Sequence, residues 1–457
     1  MFSHLKHIPS LKLIVLLGDF VFIGIAFLLV VHGRPFPNSV VYFISPSIMI
    51  GALISTAYIL NVYDPIFDPL NKTYIKRFIV TILFATIMIV LLTKVILQIN
   101  VMLDRWFILV ISLVGGGLYT WRIICHKFFL FNRLKPALIV GAGEAGQRLY
   151  KELFVGQTRF VLIGYVDDDP FLYGKETCGV NVLGGSDALD DIIKENKIND
   201  IVLAITREKS PKLLQKLLDC SLNGVHVYNN AEFYELFAGK VPVEALEDLW
   251  FVYTPLYGLR SSFYNNDIKR FIDIALSFLG LIISLPLCLA IALAIKLDSH
   301  GEVFYHQRRV GKNEQVFELI KFRSMRADAE KNGAVWADEE DLRITRVGRW
   351  IRKWRLDEIP QMWNVLRGDM SLVGPRPERP EFVSQLEKLI PYYQIRHAIK
   401  PGITGWAQVN YKYGASVNDA LEKLRYELFY MKNMSGLLDL HILLLTVRVM
   451  LFGQGAR

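Results

Sequence analysis

The chain has 457 residues, of which 52% are hydrophobic and 21% charged. This composition is too apolar for an ordinary soluble enzyme and too charged for a protein buried wholly in lipid, so we predict a very apolar part joined to a normally charged part. The formal net charge of +8 suits a phosphate-bearing partner or an anionic membrane surface. It would also suit nucleic acid, but the sequence shows no nucleic-acid-binding motif, and we expect no nucleic-acid partner.

Residues 1–130 contain four long apolar runs. Each is about 20 residues long, the length of a helix that crosses a hydrocarbon core of ~30 Å. The runs are residues 11–31, 40–60, 77–97 and 106–125. No small-residue cleavage site follows the first run, so we interpret it as a membrane anchor and not as a signal peptide. The sequence therefore predicts an α-helical bundle of four transmembrane helices.

Basic residues are distributed unevenly around these runs. Nine lie before the first run, between the second and third, or at the end of the fourth, and two lie in the other connections. The nine are Lys6, Lys12, Lys72, Lys76, Arg77, Arg122, Lys127, Arg133 and Lys135, and the two are Arg34 and Arg105. By the positive-inside rule, both ends of the bundle face the cytoplasm. We therefore predict a multi-pass membrane protein whose soluble domains are cytoplasmic.

Residues 134–235 alternate between strand-like and helical patterns, which indicates an α/β, Rossmann-like domain with a parallel sheet. The strand-like runs are 136–140, 160–166, 200–205 and 224–228. Gly141, Gly143 and Gly146 follow the first run, and Asp167 lies where a ribose-binding acid belongs. This pattern leaves two interpretations open: a site for NAD or another nucleotide, or a retained scaffold or regulatory module.

A fifth apolar stretch covers residues 271–297 and has basic residues on both sides. Basic flanks favour two cytoplasmic ends, which a straight span cannot provide. Near the middle lie Ser284 and Pro286; the proline removes an intrahelical hydrogen bond, and the serine can bond a freed carbonyl. We predict that residues 268–298 form a re-entrant helix, interrupted at this point. The alternative is a fifth full span, which would place the C-terminal region outside the cell.

The residues on either side of this stretch are more polar. Residues 236–267 are interpreted as a connector of strand and loop. Residues 299–457 are charged, aromatic and rich in arginine, and we predict an α-rich domain. Leucine and valine recur at helical spacing in 436–453, which predicts either an amphipathic helix on the membrane surface or an ordinary core helix.

Two adjacent acids, Asp357 and Glu358, stand in a cluster of basic residues. Asp357 can cap the N-terminus of a helix, with Pro360 tolerated in the first turn. Two carboxylates beside arginines suit metal-assisted phosphoryl transfer, in which one attacks phosphorus or binds Mg²⁺. A solvated helix cap without catalysis is the alternative.

Basic residues that could bind phosphate oxygens occur in three blocks. Guanidinium groups clamp phosphate through two hydrogen bonds, and an arginine between prolines is presented at little entropic cost. The candidates are Arg352 and Arg355 before the acids, Lys321 and Arg323 in an apolar segment, and Arg376 between two prolines. An interfacial helix with snorkelling arginines and no catalysis is the alternative for the first block.

A turn-rich segment, residues 400–409, contains Thr404, Trp406 and Gln408. An aromatic side chain among turns could form a platform for a base or a sugar. The alternative is a structural turn beside a buried tryptophan.

Four motifs now identify a resemblance. K-F-R-S-M, L-D-E-I-P-Q, S-L-V-G-P-R-P and P-G-I-T-G-W-A-Q-V follow one another in order. Through them, residues 268–457 resemble the catalytic domain of the bacterial sugar transferases, the monotopic polyprenyl-phosphate glycosyl-1-phosphate transferases. The membrane runs and the Rossmann-like domain resemble the long form of that family. The tail, with R-P-E-R-P-E-F and L-F-G-Q-G-A-R, is similar to the exopolysaccharide-biosynthesis branch.

The resemblance implies roles for individual residues. Asp357 would be the nucleophile that forms a phosphosugar–aspartyl intermediate, with Glu358 as its partner at a Mg²⁺ site. Arg352 and Arg376 would engage phosphate groups, and Lys321 would support the same site. Another candidate is Glu427, which stands where the family often has an aspartate in a Y-D-x-x-Y pattern.

The resemblance also implies a reaction. A UDP-sugar would release UMP, and undecaprenyl phosphate would then accept the sugar-1-phosphate at the cytoplasmic side of a bacterial inner membrane. Glucose, galactose and N-acetylated sugars all stay open as substrates, and a homo-oligomer is compatible with the sequence. The alternative functions are a membrane-anchored nucleotide-binding regulator that acts through the Rossmann-like domain and, with less support, an NAD-dependent nucleotide-sugar dehydratase.

Overall fold

The computed structural model of the protein forms two compact units, Met1–Asn230 and Ala231–Arg457. The residues that the structure describes are 15, 18–25, 28, 51–60, 62–63, 69–97, 105–127, 135–154, 160–205, 210–246, 250–251, 254, 256, 258–259, 264–326, 343–411, 414 and 416–452. Large parts of the first two predicted spans lie outside these residues.

The first unit contains apolar helices followed by a sheet with shorter helices. Its helices are α1 (Lys72–Leu97), α2 (Arg105–Cys125), α3 (Glu144–Leu153), α4 (Leu189–Asn196) and α5 (Pro211–Leu222). Its strands are β1 (Lys135–Val140), β2 (Phe160–Val166), β3 (Glu176–Thr177), β4 (Val180–Gly184), β5 (Asp200–Leu203) and β6 (His226–Asn229). Residues 18–25 and 51–59 are also helical.

Two helices among the described residues are long and apolar enough to cross a membrane. One covers Lys72–Leu92 within α1, and the other is Lys269–Asp298 in the second unit. A shorter apolar helical segment, Ile111–Cys125, lies within α2. The mixed helical and α/β character of the prediction is thereby confirmed.

Described residues from all four predicted spans pack together. Ile23, Leu53, Phe78 and Leu118 belong to one apolar cluster, and each comes from a different run. Beside it, the guanidinium of Arg122 donates two hydrogen bonds to the carboxylate of Asp19, at 2.8 and 2.9 Å, and both side chains are buried. Burying two charges is costly unless they are paired and hydrogen-bonded, so this pair fixes one arrangement of the first and fourth runs.

The predicted parallel sheet is confirmed. It has six strands in the order β3-β4-β2-β1-β5-β6, and every pairing is parallel except that of β3 with β4. The central strands are apolar on both faces because helices cover parallel sheets on both sides, and all four residues of β5 are buried. The strand order reverses at β1, which has β2 on one side and β5 on the other.

The second unit is built around one long helix. Its helices are α6 (Asn230–Ala238), α7 (Lys269–Asp298), α8 (Arg346–Lys353), α9 (Gln361–Arg367), α10 (Pro380–Leu389), α11 (Trp406–Asn410), α12 (Val417–Asn433) and α13 (Gly436–Phe452). Its strands are β7 (Phe304–Val310), β8 (Val316–Phe322), β9 (Ser371–Val373) and β10 (Gly402–Thr404). β7 and β8 form an antiparallel hairpin, and β9 pairs in parallel with β10.

The long helix α7 is continuous through Pro286, where the sequence predicted an interruption. That part of the prediction is wrong. A proline removes one intrahelical hydrogen bond, and Ser284, whose hydroxyl bonds the carbonyl of Leu281 at 3.4 Å, lies beside it. The 30 residues of α7 make about eight helical turns.

One face of α7 packs against the rest of the second unit near both ends of the helix. Lys269, Asp273, Ser277, Ile291 and Ile295 are buried and recur at helical spacing. The opposite face is apolar and exposed; its members include Phe271, with 72% of its surface exposed, and Leu297, with 80%. An exposed apolar face of this length is typical of a surface that meets lipid or another protein.

Both ends of α7 contact the second unit. At the start of the helix, Lys269 Nζ lies 2.6 Å from Asp439 Oδ2 and donates to the carbonyl of Val373 at 3.1 Å. At the other end, the Asp298 carboxylate accepts a hydrogen bond from the amide of Val347 at 3.0 Å. The helix is therefore fastened at its beginning and at its end.

The last helix, α13, is neither wholly a core helix nor wholly an amphipathic surface helix, the two alternatives that the sequence left open. Ile442 is fully buried in the core of the second unit, and the hydroxyl of Thr446 contacts that of Thr404 at 2.6 Å. Leu437 and Leu440 are nevertheless exposed. The helix thus packs on the core through one side and presents leucines on another.

Candidate active site

The acid pair lies in a tight turn between two helices. Asp357 and Glu358 belong to a 3-10 turn, Leu356–Glu358, which follows α8. The prediction that Asp357 caps a helix is wrong, because α9 begins at Gln361 with Pro360 at the cap position and no side-chain cap bond is formed. Arg355 starts the turn with φ of 52°, a left-handed conformation that redirects the chain between the two helices.

Arginine side chains hold Glu358 in place. Arg376 Nη2 lies 2.8 Å from Glu358 Oε1, and Arg355 Nη1 lies 3.9 Å from Oε2. Burial raises the pKa of Glu358, but the positive charges of Arg376 and Arg355 outweigh it, so the pKa lies below its usual value. Glu358 is therefore ionised and fixed.

Asp357 has a different environment. It is half-buried, and no hydrogen bond to its carboxylate occurs among the residues that the structure describes. Burial and the neighbouring charge of Glu358 raise the pKa of Asp357 to about 6, although Lys321 and Arg352 oppose the shift. Two adjacent acids whose pKa values are pushed apart are typical of a pair that carries out two different tasks.

The hairpin β7–β8 brings Lys321 to the same place. Its Nζ lies 5.1 Å from the ring centroid of Tyr305 on the paired strand. Burial and the charge of Arg309 lower the pKa of Lys321 to about 8, and Asp357 and Glu358 act in the opposite direction. Lys321 is thus an electrostatic neighbour of both acids.

The structure therefore gathers five of the predicted residues, and Arg355 lies beside them. Asp357, Glu358, Lys321, Arg352 and Arg376 influence one another electrostatically. They come from the hairpin, the helix–turn–helix and the proline-flanked loop, so the three sequence blocks meet in space. An excess of positive charge around two acids favours binding of an anion, and the cations suit the oxygens of phosphate.

The acid pair also fits Mg²⁺. This ion binds through one or two carboxylates together with substrate phosphates and water. The Asp357 carboxylate has no hydrogen-bonded partner in the described part of the chain, and its pKa is raised first by burial and then by the charge of Glu358, both of which a cation bound between the two acids would offset. The two carboxylates are therefore compatible with Mg²⁺, which would bind them together with substrate oxygens.

Arg323 was predicted to bind phosphate, but its contacts contradict this. Its guanidinium donates to the carbonyls of His300 and Ser299, both at 2.8 Å, and to the Ser299 hydroxyl at 2.9 Å. The side chain is buried. Arg323 holds the chain just after α7 and is removed from the phosphate-binding set.

The predicted platform for a base or sugar is part of the core packing. Trp406 Nε1 donates to the carbonyl of Gly239 at 2.7 Å, and its ring stacks on Phe429 at a centroid distance of 5.8 Å. Gln408 Nε2 donates to the carbonyl of Ile403 at 2.9 Å, and Thr404 is buried. These contacts favour the alternative of a structural turn beside a tryptophan.

Glu427 belongs to a buried network that ends at the active site. Its carboxylate accepts two hydrogen bonds from Arg396, both 2.8 Å long, and both side chains are buried. Arg396 also donates to the backbone carbonyl of Arg376 at 2.8 Å. Sequence analysis missed Arg396, because nothing in its local pattern shows that it reaches the carbonyl of a residue twenty positions earlier.

The glycine-rich turn of the first unit is built as its sequence requires. Gly141 has φ of 111°, and a Cβ on Gly146 would lie 2.0 Å from the carbonyl oxygen of Gly141. A Cβ on Gly143 would meet open space. The carboxylate of Asp167 accepts a hydrogen bond from the amide of Ala142 at 2.8 Å. In this structure Asp167 braces the turn, a contact that the scaffold interpretation requires, and binding of NAD or another nucleotide stays a prediction.

The comparisons with known proteins agree with this geometry. Residues 264–453 match the family model described as bacterial sugar transferase. This range contains α7, the hairpin, the acid pair and the proline-flanked loop. The chain belongs to the bacterial sugar transferase family.

Individual relatives differ in the sugar that their names give. The UDP-N-acetylgalactosamine-undecaprenyl-phosphate N-acetylgalactosaminephosphotransferase of Aeromonas hydrophila is 43% identical over 241 residues, 53% of this chain and 56% of that protein. The UDP-glucose:undecaprenyl-phosphate glucose-1-phosphate transferase of Xanthomonas campestris pv. campestris is 36% identical over 284 residues, 60% of this chain and 57% of that protein. The chain thus matches a little over half the length of these two relatives.

A shorter relative is matched almost completely. The exopolysaccharide production protein PSS of Rhizobium leguminosarum bv. phaseoli is 40% identical over 186 residues, which are 39% of this chain and 93% of that protein. Among solved structures, a Rex-family repressor, RSP, is 22% identical, with 25% of this chain and 60% of that chain covered and a TM-score of 0.21. That structural likeness is too weak to support an argument.

We predict that Glu427→Gln lowers the thermal stability of the purified protein. The change leaves the buried guanidinium of Arg396 without a counter-charge, and breaking a buried pair costs about 3–5 kcal/mol. Glu302→Gln, at an exposed acid of the same unit, is the control and should leave the melting temperature unchanged. Equal melting temperatures for Glu427→Gln and the wild type would show that the pair does not stabilise the fold.

Proposed function

We propose that the protein transfers a sugar-1-phosphate from a UDP-sugar to undecaprenyl phosphate, releasing UMP and forming undecaprenyl-diphosphate-sugar. This reaction would begin the assembly of an exopolysaccharide or capsule. The observation that carries the proposal is the contrast within the acid pair: Glu358 is held by Arg376, and Asp357, its neighbour, has no hydrogen-bonded partner in the described residues. The names of the relatives support the substrate classes.

The first step is an attack by the Asp357 carboxylate on the sugar-bearing phosphorus of the UDP-sugar. An oxygen–phosphorus bond forms to Asp357, the bond to the UMP oxygen breaks, and UMP leaves with the electron pair. In the second step, an oxygen of undecaprenyl phosphate attacks the same phosphorus, and Asp357 leaves as a carboxylate. Two displacements at one phosphorus give ping-pong kinetics.

The surrounding charges support both displacements. Arg352, Arg376 and Lys321 neutralise negative charge on the transferring phosphoryl group and on the departing UMP. Arg376 also keeps Glu358 ionised beside the nucleophile. Mg²⁺, held by Glu358 and Asp357 together with substrate oxygens, would supply further charge neutralisation.

We also propose that α7 is re-entrant: the continuous helix bends at Pro286, where one intrahelical hydrogen bond is missing, and both of its ends lie on the cytoplasmic side. The contacts of Lys269 and Asp298 with the same unit support this, because a straight span would separate the two ends by the thickness of the bilayer. The lipid would then meet the exposed face that includes Phe271 and Leu297. The basic residues on both sides agree with two cytoplasmic ends.

Aromatic residues near the acid pair support a site at the level of the lipid headgroups. Trp350, Trp354 and Trp363 are exposed, and they lie on or beside the helices that flank the acid turn. Tryptophan is enriched at membrane–water interfaces. A site at this depth can receive a water-soluble donor from one side and the phosphate of a lipid from the other.

The proposal includes the first unit as a four-span bundle in the bacterial inner membrane. The shared apolar cluster and the Asp19–Arg122 pair support packing of the four runs against one another. The distribution of basic residues supports cytoplasmic ends.

Asp357→Asn should abolish UMP release from UDP-sugar in membranes supplied with undecaprenyl phosphate and Mg²⁺. An amide cannot form the acyl-phosphate, so we expect a loss of about 10³-fold or more. Glu302→Gln is the control and should stay within about twofold of the wild type. A screen of UDP-sugars with the wild type identifies the sugar. UMP release by Asp357→Asn at the rate of the wild type would refute the assignment of the nucleophile.

The activity should depend on pH as a bell-shaped curve. Asp357 must be deprotonated to attack, so kcat/KM should fall as the pH drops through its pKa of about 6. Lys321 must be protonated to carry charge, so kcat/KM should also fall as the pH rises through its pKa of about 8. Lys321→Arg keeps a positive charge at high pH and should move the alkaline limb upward. An unchanged alkaline limb in that variant would contradict the role of Lys321.

Cysteine labelling tests the path of α7. After replacement of the native cysteines, Asp267→Cys and His300→Cys should both react with a membrane-impermeant thiol reagent only when it reaches the cytoplasmic side. A cysteine at position 100, in a connection predicted to face outside, is the control and should show the opposite behaviour. Labelling of one end of α7 from the outside would refute re-entrance.

A further inference from the structure

Three side chains outside the acid pair converge on one point of the second unit. They are Glu314 in the turn of the β7–β8 hairpin, Glu387 on α10, and His397 in a 3-10 turn, Tyr393–Ala398. One ligand atom of each lies within 4.8 Å of the others. The proposed reaction uses none of these residues.

His397 is the unusual member of this group. Only 6% of its surface is exposed, and both ring nitrogens are buried without a hydrogen-bond partner among the described residues. Its Nδ1 lies 3.9 Å from Glu387 Oε1, which is too far for a hydrogen bond. A buried polar group without a partner costs about 1–3 kcal/mol, so the native protein should have a reason to keep this histidine.

An ion pair between His397 and the acids does not provide that reason. Neither ring nitrogen makes a hydrogen bond among the described residues, and the carboxylate oxygen of Glu387 is 3.9 Å from Nδ1. Glu314 contributes a second carboxylate within the same group of 4.8 Å. The site therefore combines a buried, unpartnered imidazole with two carboxylates of like charge, and a cation would satisfy all three.

We propose that Glu314, Glu387 and His397 bind one divalent transition-metal ion, with Zn²⁺ as the probe. A neutral imidazole nitrogen with carboxylate oxygens suits Zn²⁺ and its neighbours in the periodic table, whereas Mg²⁺ prefers oxygen ligands alone. Ligand atoms about 2.0–2.2 Å from Zn²⁺ lie roughly 3.5 Å from one another. Rotation of the exposed side chains of Glu314 and Glu387 is enough to reach that spacing, and water completes the coordination.

Such an ion would join three segments that support the active site. The hairpin that carries Glu314 also carries Lys321 on β8. His397 follows Arg396, which holds the backbone of Arg376. The ion would brace these segments from a position outside the acid pair. The proposal does not depend on the proposed function.

The test measures Zn²⁺ binding to the full-length, untagged protein in detergent. Asp357→Asn with Glu358→Gln serves as the background, so that the acid pair cannot contribute. We expect one Zn²⁺ per chain that persists in excess Mg²⁺, and a melting temperature that rises when Zn²⁺ is added. In the same background, Glu314→Gln with Glu387→Gln should weaken Zn²⁺ binding by about tenfold or more and remove the stabilisation.

Glu381→Gln is the matched control, because Glu381 is an exposed acid on the same helix and lies outside the group. It should bind Zn²⁺ like the background protein. The two test substitutions are at exposed residues, so the fold should survive them. Failure of the background protein to retain Zn²⁺, or equal retention after Glu314→Gln with Glu387→Gln, would overturn the proposal and leave the Asp357→Asn result unaffected.

Discussion

The ion pair between Arg376 and Glu358 is the interaction on which the site depends. It fixes one acid of an adjacent pair as an ionised, immobile group, and the other, Asp357, has no hydrogen-bonded partner among the described residues. Without this asymmetry, two neighbouring carboxylates would titrate as one coupled pair, and neither would have the separate role that the proposed phosphoryl transfer requires. The backbone of Arg376 is itself held by Arg396, which Glu427 neutralises in the core. A short series of charged side chains therefore connects the interior of the second unit to the acid pair.

The sequence predicted which residues lie in the candidate site better than it predicted the contacts that support them. Asp357, Glu358, Lys321, Arg352 and Arg376 were all named from their residue types and motifs, and the structure brings them together. Their supports could not be predicted, because the partner of a residue such as Arg396 lies far away in the chain. The same limit explains the error at Arg323: a cation beside an apolar strand has the same local pattern whether it faces a phosphate or two carbonyls.

Sequence patterns predicted the parallel sheet correctly, but they did not predict that α7 is continuous through Pro286 or that Asp19 pairs with Arg122. Short runs that are apolar on both faces predicted the parallel sheet, because such runs have few other stable arrangements. The interruption at Pro286 was predicted from the basic flanks and from Ser284 and the proline, but α7 is continuous there. One missing hydrogen bond is a small cost beside the packing of Lys269, Ile291 and Ile295 along the same face. Asp19, placed in the middle of an apolar run, gave no local sign of its pairing with Arg122.

The exposed apolar face of α7 determines how the second unit can associate with a bilayer. Because its apolar surface runs along about eight helical turns, the second unit carries its own anchor. Loss of the first 230 residues would not turn it into a freely diffusing protein. The first unit is then free to differ among relatives without loss of this apolar face, and the short Rhizobium protein matches this chain over 93% of its own length.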